Sequence, residues 1–135
     1  MKKTALVTHE ECLQHVTPPG HPEQVARLEY ILQALKDINL LRVSAPMAAD
    51  DDILRIHPRE HINYLQDAVP ENGFKSLDGD THISSGSLTA AYRAAGGVLR
   101  AVDLVLSGEA KNAFVAVRPP ADSYTHLTLP TNREV

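Results

Sequence analysis

The stretch NAFVAVRPP, from Asn112 to Pro120, constrains the fold of this chain more than any other. Its apolar part, Ala113 to Val117, is rich in β-branched and aromatic residues and does not alternate with polar ones. A strand covered on both faces has this pattern, which is typical of parallel sheets. Arg118-Pro119-Pro120 ends the strand. Because catalytic residues of α/β proteins sit at the carboxyl ends of such strands, we expect a functional site close to Arg118.

The rest of the chain predicts strands and helices in alternation. Thr4 to Thr8 is predicted as a first strand, and a helix is predicted to begin at Pro22-Glu23 and run to about Asp37. The further predicted elements are a strand over 40–45, a helical turn capped by Asp50, a helix from Pro58 to Pro70, and a long helix capped by Ser85 or Ser87. This order predicts an α/β fold with a parallel sheet.

The long helix is predicted to bury one apolar face, made of Leu88, Ala91, Ala95, Val98, Leu99, Val102 and Val105. Its small residues, 94–97, would let a neighbouring backbone approach closely. Residues 70–87, before this helix, are dense in Gly, Asp and Ser and are predicted to form a long loop. Loops of this length without structure of their own are usually functional or disordered.

Composition narrows the class of protein. A length of 135 residues suits one domain, and a net charge of −4 without a Lys/Arg cluster argues against nucleic-acid binding. The single cysteine, Cys12, excludes an internal disulfide. The apolar stretch Ala5-Leu6-Val7 is too short for a signal peptide, and no run reaches transmembrane length. We therefore expect a cytoplasmic protein without a membrane partner, and the oligomeric state stays open.

Two histidine groups are candidates for metal binding. The first contains His9, Cys12, His15 and His21, but its spacings match no usual zinc site, and a loop of solvated histidines is favoured. The second runs from His57 to His61 and satisfies H-x-x-E-H. Because Pro58 keeps His57 out of the helix, we interpret this second match as chance.

The segment Leu77-Asp78-Gly79-Asp80-Thr81 places two carboxylates around a glycine. Carboxylates in this arrangement can bind calcium, but the remaining ligands of an EF-hand loop are absent. An Asp-Gly turn is the alternative.

Four segments together resemble the zinc-dependent histone deacetylase family, which includes acetoin-utilisation proteins and acetylpolyamine amidohydrolases. They are the HPE and RL of residues 21–28, DDILRIHPREHINYL, LDGDTHISSGSLTAAYRAAGG, and RPP at residues 118–120. The resemblance covers residues 4–120 and implies the arginase/deacetylase fold, a parallel sheet flanked by helices and incomplete here. It also implies hydrolysis of acetyl-lysine or acetylpolyamine amides.

The resemblance assigns roles to three residues. Asp80, with Asp78 as the second candidate, resembles the acidic rim residue that accepts hydrogen bonds from the substrate backbone. Arg27 resembles an arginine beside an internal channel through which acetate could leave. The alternative is that Arg27 only reaches solvent from its helix.

The catalytic part of the family pattern is missing. After RPP, related sequences continue with Gly-His-His, whereas this chain has Ala121, Asp122 and Ser123. The family's zinc ligands, an Asp-x-His pair and a second Asp, also follow that point. We therefore expect no catalytic residue, no metal ligand and no cofactor in this chain, with zinc in the intact parent. The alternative function is a small non-catalytic α/β binding module that uses the acidic 70–87 loop.

The last 15 residues form a separate question. SYTHLTLPT resembles the translation of a transposon-end adapter used in sequencing libraries. We therefore expect residues 1–120 to be the N-terminal part of a deacetylase-like domain, and residues 121–135 to be a non-native tail translated from the adapter.

Overall fold

A computed structural model describes residues 2–120 and contains one three-stranded parallel sheet. Strand β1 (Thr4–Thr8) lies in the centre, between β2 (Leu41–Ser44) and β5 (Asn112–Val115). Ala5 pairs with Leu41 on one side and with Ala113 on the other. The predicted parallel α/β sheet is therefore confirmed, and its central strand has the predicted bounds. The flanking strands are slightly shorter than predicted.

Helices cover both faces of this sheet. Helix α1 (Val25–Leu35) packs on one face through Leu28, which contacts Leu6 and the buried Cys12. Helix α4 (Ser87–Leu106) packs on the other face, where Ala101 and Leu104 meet Ala5 and Val7. Alternate residues of β1 thus enter two separate apolar clusters, as expected for a strand covered on both sides.

Helix α1 begins later than predicted, at Val25. Pro22 and Glu23 precede it, and the first turn is closed where the Arg27 N–H donates to the Gln24 carbonyl. The remaining helices are α2 (Asp50–Ile53) and α3 (Arg59–Ala68). Asp50 is the first residue of α2 and not its cap.

Helix α4 approaches the segment after β2 and the end of β5 through two glycines, because these positions leave no room for a larger side chain. A Cβ atom at Gly96 would lie 1.9 Å from the Pro46 carbonyl oxygen, and one at Gly97 would lie 3.1 Å from the Ala45 Cβ. The predicted close approach at the small residues is confirmed. The predicted buried face is wrong, since its larger members Val98, Leu99, Val102 and Val105 are exposed.

Residues 70–87 were predicted to form a long loop, and this prediction is wrong in part. They contain a small antiparallel hairpin of β3 (Lys75–Ser76) and β4 (His82–Ile83). The predicted serine caps of α4 are also wrong, because Gly86 occupies the N-cap. Among residues 2–120, no helix is both long enough and apolar enough to cross a bilayer.

Candidate functional site

The segment that follows β1 lies at the carboxyl end of the sheet and is tied to helix α4. It forms a 3-10 helix (Glu10–Gln14), and the His9 Nδ1 caps it by accepting the Glu11 N–H at 3.0 Å. Gly86 sits against Gln14, whose carbonyl oxygen would be 2.5 Å from a Cβ at that position. The Ser84 hydroxyl accepts the Val16 N–H at 3.0 Å.

His15 is the buried centre of these contacts. Its Nδ1 lies 2.7 Å from the Ser87 hydroxyl, and that hydroxyl also accepts the Ser84 N–H at 2.7 Å. Burial, and then the positive charge of Arg118, lower the pKa of His15 to about 4. A neutral imidazole therefore holds the loop to α4. The expectation of solvated histidines is wrong at this position, because the His15 residue is only 6% exposed.

Residues 112–118, which we call the β5 segment, comprise β5 and the three residues after it. Arg118, the last of them, is fully buried with 0% exposure. Its Nε donates to the Glu23 carboxylate, and its Nη1 donates to the carbonyl oxygens of His15 and Cys12. The guanidinium thus joins three segments that are far apart in sequence. Its Nη2 has no hydrogen-bond partner among the described residues.

Glu23 connects this buried arginine to a second one. Its Oε2 accepts the Arg27 Nε–H at 3.0 Å, while its Oε1 accepts from Arg118. The Arg27 Nη2 also donates to the Val117 carbonyl at 3.1 Å. Arg27 therefore does not simply extend into solvent, since it contacts the carboxyl end of the β5 segment. One carboxylate between two guanidiniums leaves a net positive charge there.

Asp78 and Asp80 lie in the turn between β3 and β4. The Asp78 Oδ1 accepts the N–H groups of Asp80 and Thr81, both at 2.9 Å, so this carboxylate stabilises its own turn. The Asp80 carbonyl accepts from the His21 Nε2 at 2.9 Å, and the His21 Nδ1 accepts the Glu23 N–H at 3.0 Å. The backbone of Asp80 is thus fixed on both sides. Its side chain is exposed.

The histidines of the H-x-x-E-H match do not share a helix. Helix α3 begins at Arg59, so His57 precedes it, and Pro58 has an extended conformation. The rings of His57 and His61 lie 5.0 Å apart between centroids. Burial lowers the pKa of both imidazoles, and for His61 the nearby His57 adds to this effect.

Comparison with known proteins decides the family. The sequence profile of the histone deacetylase domain matches residues 21–122. The chain belongs to the histone deacetylase domain family. The chain is also similar to named relatives and to a solved structure, and each of these proteins is much longer than the part that matches.

The chain is 36% identical over 123 residues to a protein of Archaeoglobus fulgidus that is named probable deacetylase. The match covers 87% of this chain and 34% of that protein. The chain is 36% identical over 140 residues to a histone deacetylase-like amidohydrolase of Pseudomonas aeruginosa, covering 88% and 37%. The crystal structure of the HDA15 HD domain matches with a TM-score of 0.78 and 26% identity, covering 87% and 37%. The chain spans about a third of the length of these curated relatives.

The described part of this deacetylase-family chain does not fit a metal ion by itself. Within residues 2–120, no three His, Cys, Asp or Glu side chains lie where they could share one metal ion. The candidate ligands bind elsewhere: His9 caps the 3-10 helix, His15 contacts Ser87, and His21 contacts Asp80. Residues 121–123, which stand at the position of Gly-His-His, lie outside the described residues.

Several side-chain contacts were not predicted from the sequence. The Glu23–Arg27 pair has i,i+4 spacing at the start of a helix, which is a signal that sequence reasoning could have used. The contacts of Glu23 with Arg118 and of His15 with Ser87 carry no such signal, because their partners are 95 and 72 residues apart. Tyr92, which donates to the Asp50 Oδ1 at 2.7 Å, was also missed.

Proposed function

We propose that this chain is the N-terminal part of a zinc-dependent deacetylase that hydrolyses acetyl-lysine or acetylpolyamine amides. The observation that carries the proposal is the buried Arg118, which joins the end of the β5 segment to Glu23 of the HPE segment. Two motifs of the resemblance, separated by 95 residues, thus form one structural unit. Membership in the histone deacetylase domain family supports the same function.

Asp80 is the proposed substrate-binding residue. The N–H and carbonyl of Asp80 are both held by hydrogen bonds, to Asp78 and His21, so its backbone position is preorganised. Its exposed carboxylate can accept hydrogen bonds from backbone N–H groups of an acetylated peptide, and such charge-assisted bonds are among the stronger ones. Asp78 is the weaker candidate, because its Oδ1 already accepts two backbone N–H groups of its own turn.

Arg27 is the proposed channel residue. Its guanidinium contacts Glu23 and the Val117 carbonyl, at the end of the sheet where we expect the site. With Arg118 on the other side of Glu23, the local charge is positive, which favours an anionic product such as acetate. This role applies to the intact parent and not to the isolated chain.

We infer that the 135-residue chain itself hydrolyses nothing. Its sequence has Ala121-Asp122-Ser123 where the family has Gly-His-His, so the general base is missing. When bound in a parent enzyme, zinc would polarise the acetyl carbonyl and activate water. In our proposal, residues beyond those of this chain hold that ion.

We also propose that residues 1–120 are the deacetylase part of a cytoplasmic protein and that residues 121–135 are translated adapter. Sequencing the source DNA across the Pro120 codon tests the second statement. The statement is supported if the parent genome continues after the Pro120 codon with codons for Gly-His-His. Uninterrupted genomic sequence encoding Ala121 to Val135 contradicts it, and an early stop codon there would favour the small binding module.

A chimera tests the proposed function directly. Residues 1–120 replace the matching part of the Pseudomonas aeruginosa amidohydrolase, and the unaltered relative serves as the positive control. We expect zinc-dependent hydrolysis of an acetyl-lysine peptide or of an acetylpolyamine, and the preferred substrate identifies the class. A folded chimera without activity on either substrate, next to an active control, contradicts the proposal.

Variants of the same chimera test the site residues. Asp80→Ala is expected to raise KM for the acetyl-lysine peptide about tenfold, with a smaller effect on kcat, because it removes substrate hydrogen bonds. Asp78→Ala serves as the matched comparison, and its expected effect is loss of order in the turn. An Asp80→Ala variant with unchanged KM contradicts the proposed role.

A further inference from the structure

His21, in the HPE segment, joins two parts of the chain that lie 59 residues apart. Its Nδ1 lies 3.0 Å from the Glu23 backbone nitrogen, and its Nε2 lies 2.9 Å from the Asp80 carbonyl oxygen. A backbone N–H can only donate and a carbonyl oxygen can only accept. The two contacts therefore require the neutral imidazole with its proton on Nε2, which accepts from Glu23 while it donates to Asp80.

The Glu23 end of this bridge is fixed by the buried cluster at the carboxyl end of the sheet. The Glu23 carboxylate accepts from the fully buried Arg118 and from Arg27. The Glu23 carbonyl oxygen accepts the Thr17 hydroxyl at 2.5 Å. Because both the backbone and the side chain of Glu23 are held, its N–H offers His21 a donor in a fixed place.

The other end of the bridge is the β3–β4 hairpin, residues 75–83. Both residues of β3 are exposed, whereas Ile83 of β4 is buried with 4% exposure. Burial thus anchors the β4 end, and the turn needs a second contact to keep its position. His21 contacts the hairpin twice, through the Asp80 carbonyl and through the His82 ring, which it meets edge to face at 5.3 Å between centroids.

We propose that His21 is a positioning residue for the recognition of acetylated peptides and that it acts through Asp80. This inference rests on the proposed substrate-binding role of Asp80. Hydrogen bonds between a carboxylate and backbone N–H groups are directional, so the Asp80 carboxylate must stand at one place relative to the carboxyl end of the sheet. His21 fixes that place, because it ties the Asp80 backbone to the same Glu23 that holds Arg27. Without His21, the peptide would have to order the turn when it binds, and its affinity would fall.

Two substitutions separate the two contacts of His21. A glutamine amide nitrogen reaches the position of Nε2, so His21→Gln keeps a donor for the Asp80 carbonyl. An asparagine amide oxygen reaches the position of Nδ1, so His21→Asn keeps an acceptor for the Glu23 N–H but lacks the bond to Asp80. His21→Ala removes both contacts.

Steady-state kinetics of the chimera test the proposal. We expect His21→Ala and His21→Asn to raise KM for the acetyl-lysine peptide about fivefold, as loss of one hydrogen bond would, with kcat within about twofold. His21→Gln should keep KM within about twofold of the unaltered chimera. In the Asp80→Ala background, His21→Ala should raise KM no further, because a positioning residue acts only through the group that it positions.

Hydrogen exchange in the full 135-residue chain measures the positioning without any turnover. The N–H groups of Asp80 and Thr81 donate to the Asp78 Oδ1, so their exchange reports order in the turn. We expect this exchange to be about fivefold faster in His21→Ala and His21→Asn, and within about twofold of the unaltered chain in His21→Gln. Amides of the central strand β1 are the internal control and should exchange at unchanged rates, which shows that each variant folds.

Three results would overturn the proposal. The first is a KM for His21→Gln as high as that for His21→Ala, because the bond to Asp80 would then not matter. The second is a further rise in KM when His21→Ala is added to Asp80→Ala. The third is unchanged exchange in the turn of the His21→Ala chain. Because exchange needs no activity, an inactive chimera contradicts the proposed function, while the exchange rates still decide whether His21 orders the turn.

Discussion

At the scale of single residues, Arg118 determines how the carboxyl end of the sheet is built. A guanidinium removed from water loses its hydration, and it needs a carboxylate and several acceptors to recover that free energy. Glu23 supplies the carboxylate, and the carbonyl oxygens of Cys12 and His15 supply the acceptors. The same residue that begins the RPP segment therefore fixes the loop after β1.

Replacing this arginine tests its structural contribution. Arg118→Met is expected to lower the free energy of unfolding by about 3 kcal/mol, because it leaves two carbonyl oxygens without a donor and weakens the pairing of Glu23. Urea denaturation followed by circular dichroism measures the effect. In a double-mutant cycle, Glu23→Gln should lower the free energy of unfolding much less in the Arg118→Met variant than in the unaltered chain. A change below about 0.5 kcal/mol for Arg118→Met would contradict this account.

His15 predicts how stability depends on pH. Its pKa of about 4 in the folded protein lies below the ordinary histidine value of 6.5, so the unfolded chain binds more protons between these two pH values. Stability is therefore fully present above pH 6.5 and decreases as the pH falls toward 4. The free energy of unfolding that His15 contributes above pH 6.5, and that is lost below pH 4, is about 3 kcal/mol.

Chemical denaturation at several pH values measures this dependence, with His15→Asn as the comparison. The variant keeps a short polar side chain near Ser87 but cannot titrate, so its stability should change less over the same range. Since His57 and His61 also have lowered pKa values, the difference between the two proteins isolates His15. Parallel curves would show that His15 does not cause the effect.

At the scale of elements, helix α4 shows how small residues set the packing distance. Gly96 and Gly97 face the segments that follow β2 and β5, and Ala101 completes the contact with the sheet. This explains why the predicted buried face was wrong. Hydrophobicity favours Val98, Val102 and Val105 as the inner face, but the face that packs inward carries Gly96, Gly97, Ala101 and Leu104 instead.

Gly96→Ala tests the packing distance. The added methyl group would lie 1.9 Å from the Pro46 oxygen, so the helix or the loop must move. Overpacking of this kind costs up to about 3 kcal/mol, and the gain in helix propensity is only about 1 kcal/mol. We expect a net loss of about 2 kcal/mol in the free energy of unfolding, measured by urea denaturation.

Gly79→Ala is the matched control for this substitution. A Cβ at Gly79 would meet no atom within 4 Å. Its expected effect is within about 0.5 kcal/mol of zero. Equal losses for the two variants would show that the close approach of α4 to Pro46 does not limit stability.

At the scale of the whole molecule, the sequence was sufficient for the architecture but not for the contacts. The apolar run at residues 113–117 and the order of strands and helices predicted a parallel α/β sheet. The expected cover on both faces of that strand is wrong at Phe114, which is 47% exposed. The hairpin within residues 70–87 was missed because each of its strands has only two residues. The burial of Arg118 and His15 was missed because it depends on partners that only the fold brings together.

The family was predicted, and the roles of the candidate site residues stay predictions. The order of RPP, HPE and LDGDT segments indicated the family, which the domain match confirms. Sequence reasoning could name Asp78 and Asp80 but could not rank them by geometry. Both residues are exposed, and the structure separates them because the Asp78 Oδ1 accepts two backbone N–H groups of its own turn.

We propose that this chain carries the supporting part of a deacetylase without its proton-transfer and zinc-binding residues. The most direct test is the rate at which the purified 135-residue protein, supplied with zinc, releases acetate from an acetyl-lysine peptide. The Pseudomonas aeruginosa amidohydrolase serves as the positive control. We predict a rate equal to that of buffer with zinc alone. Turnover above that rate, abolished by a chelator, would contradict the account.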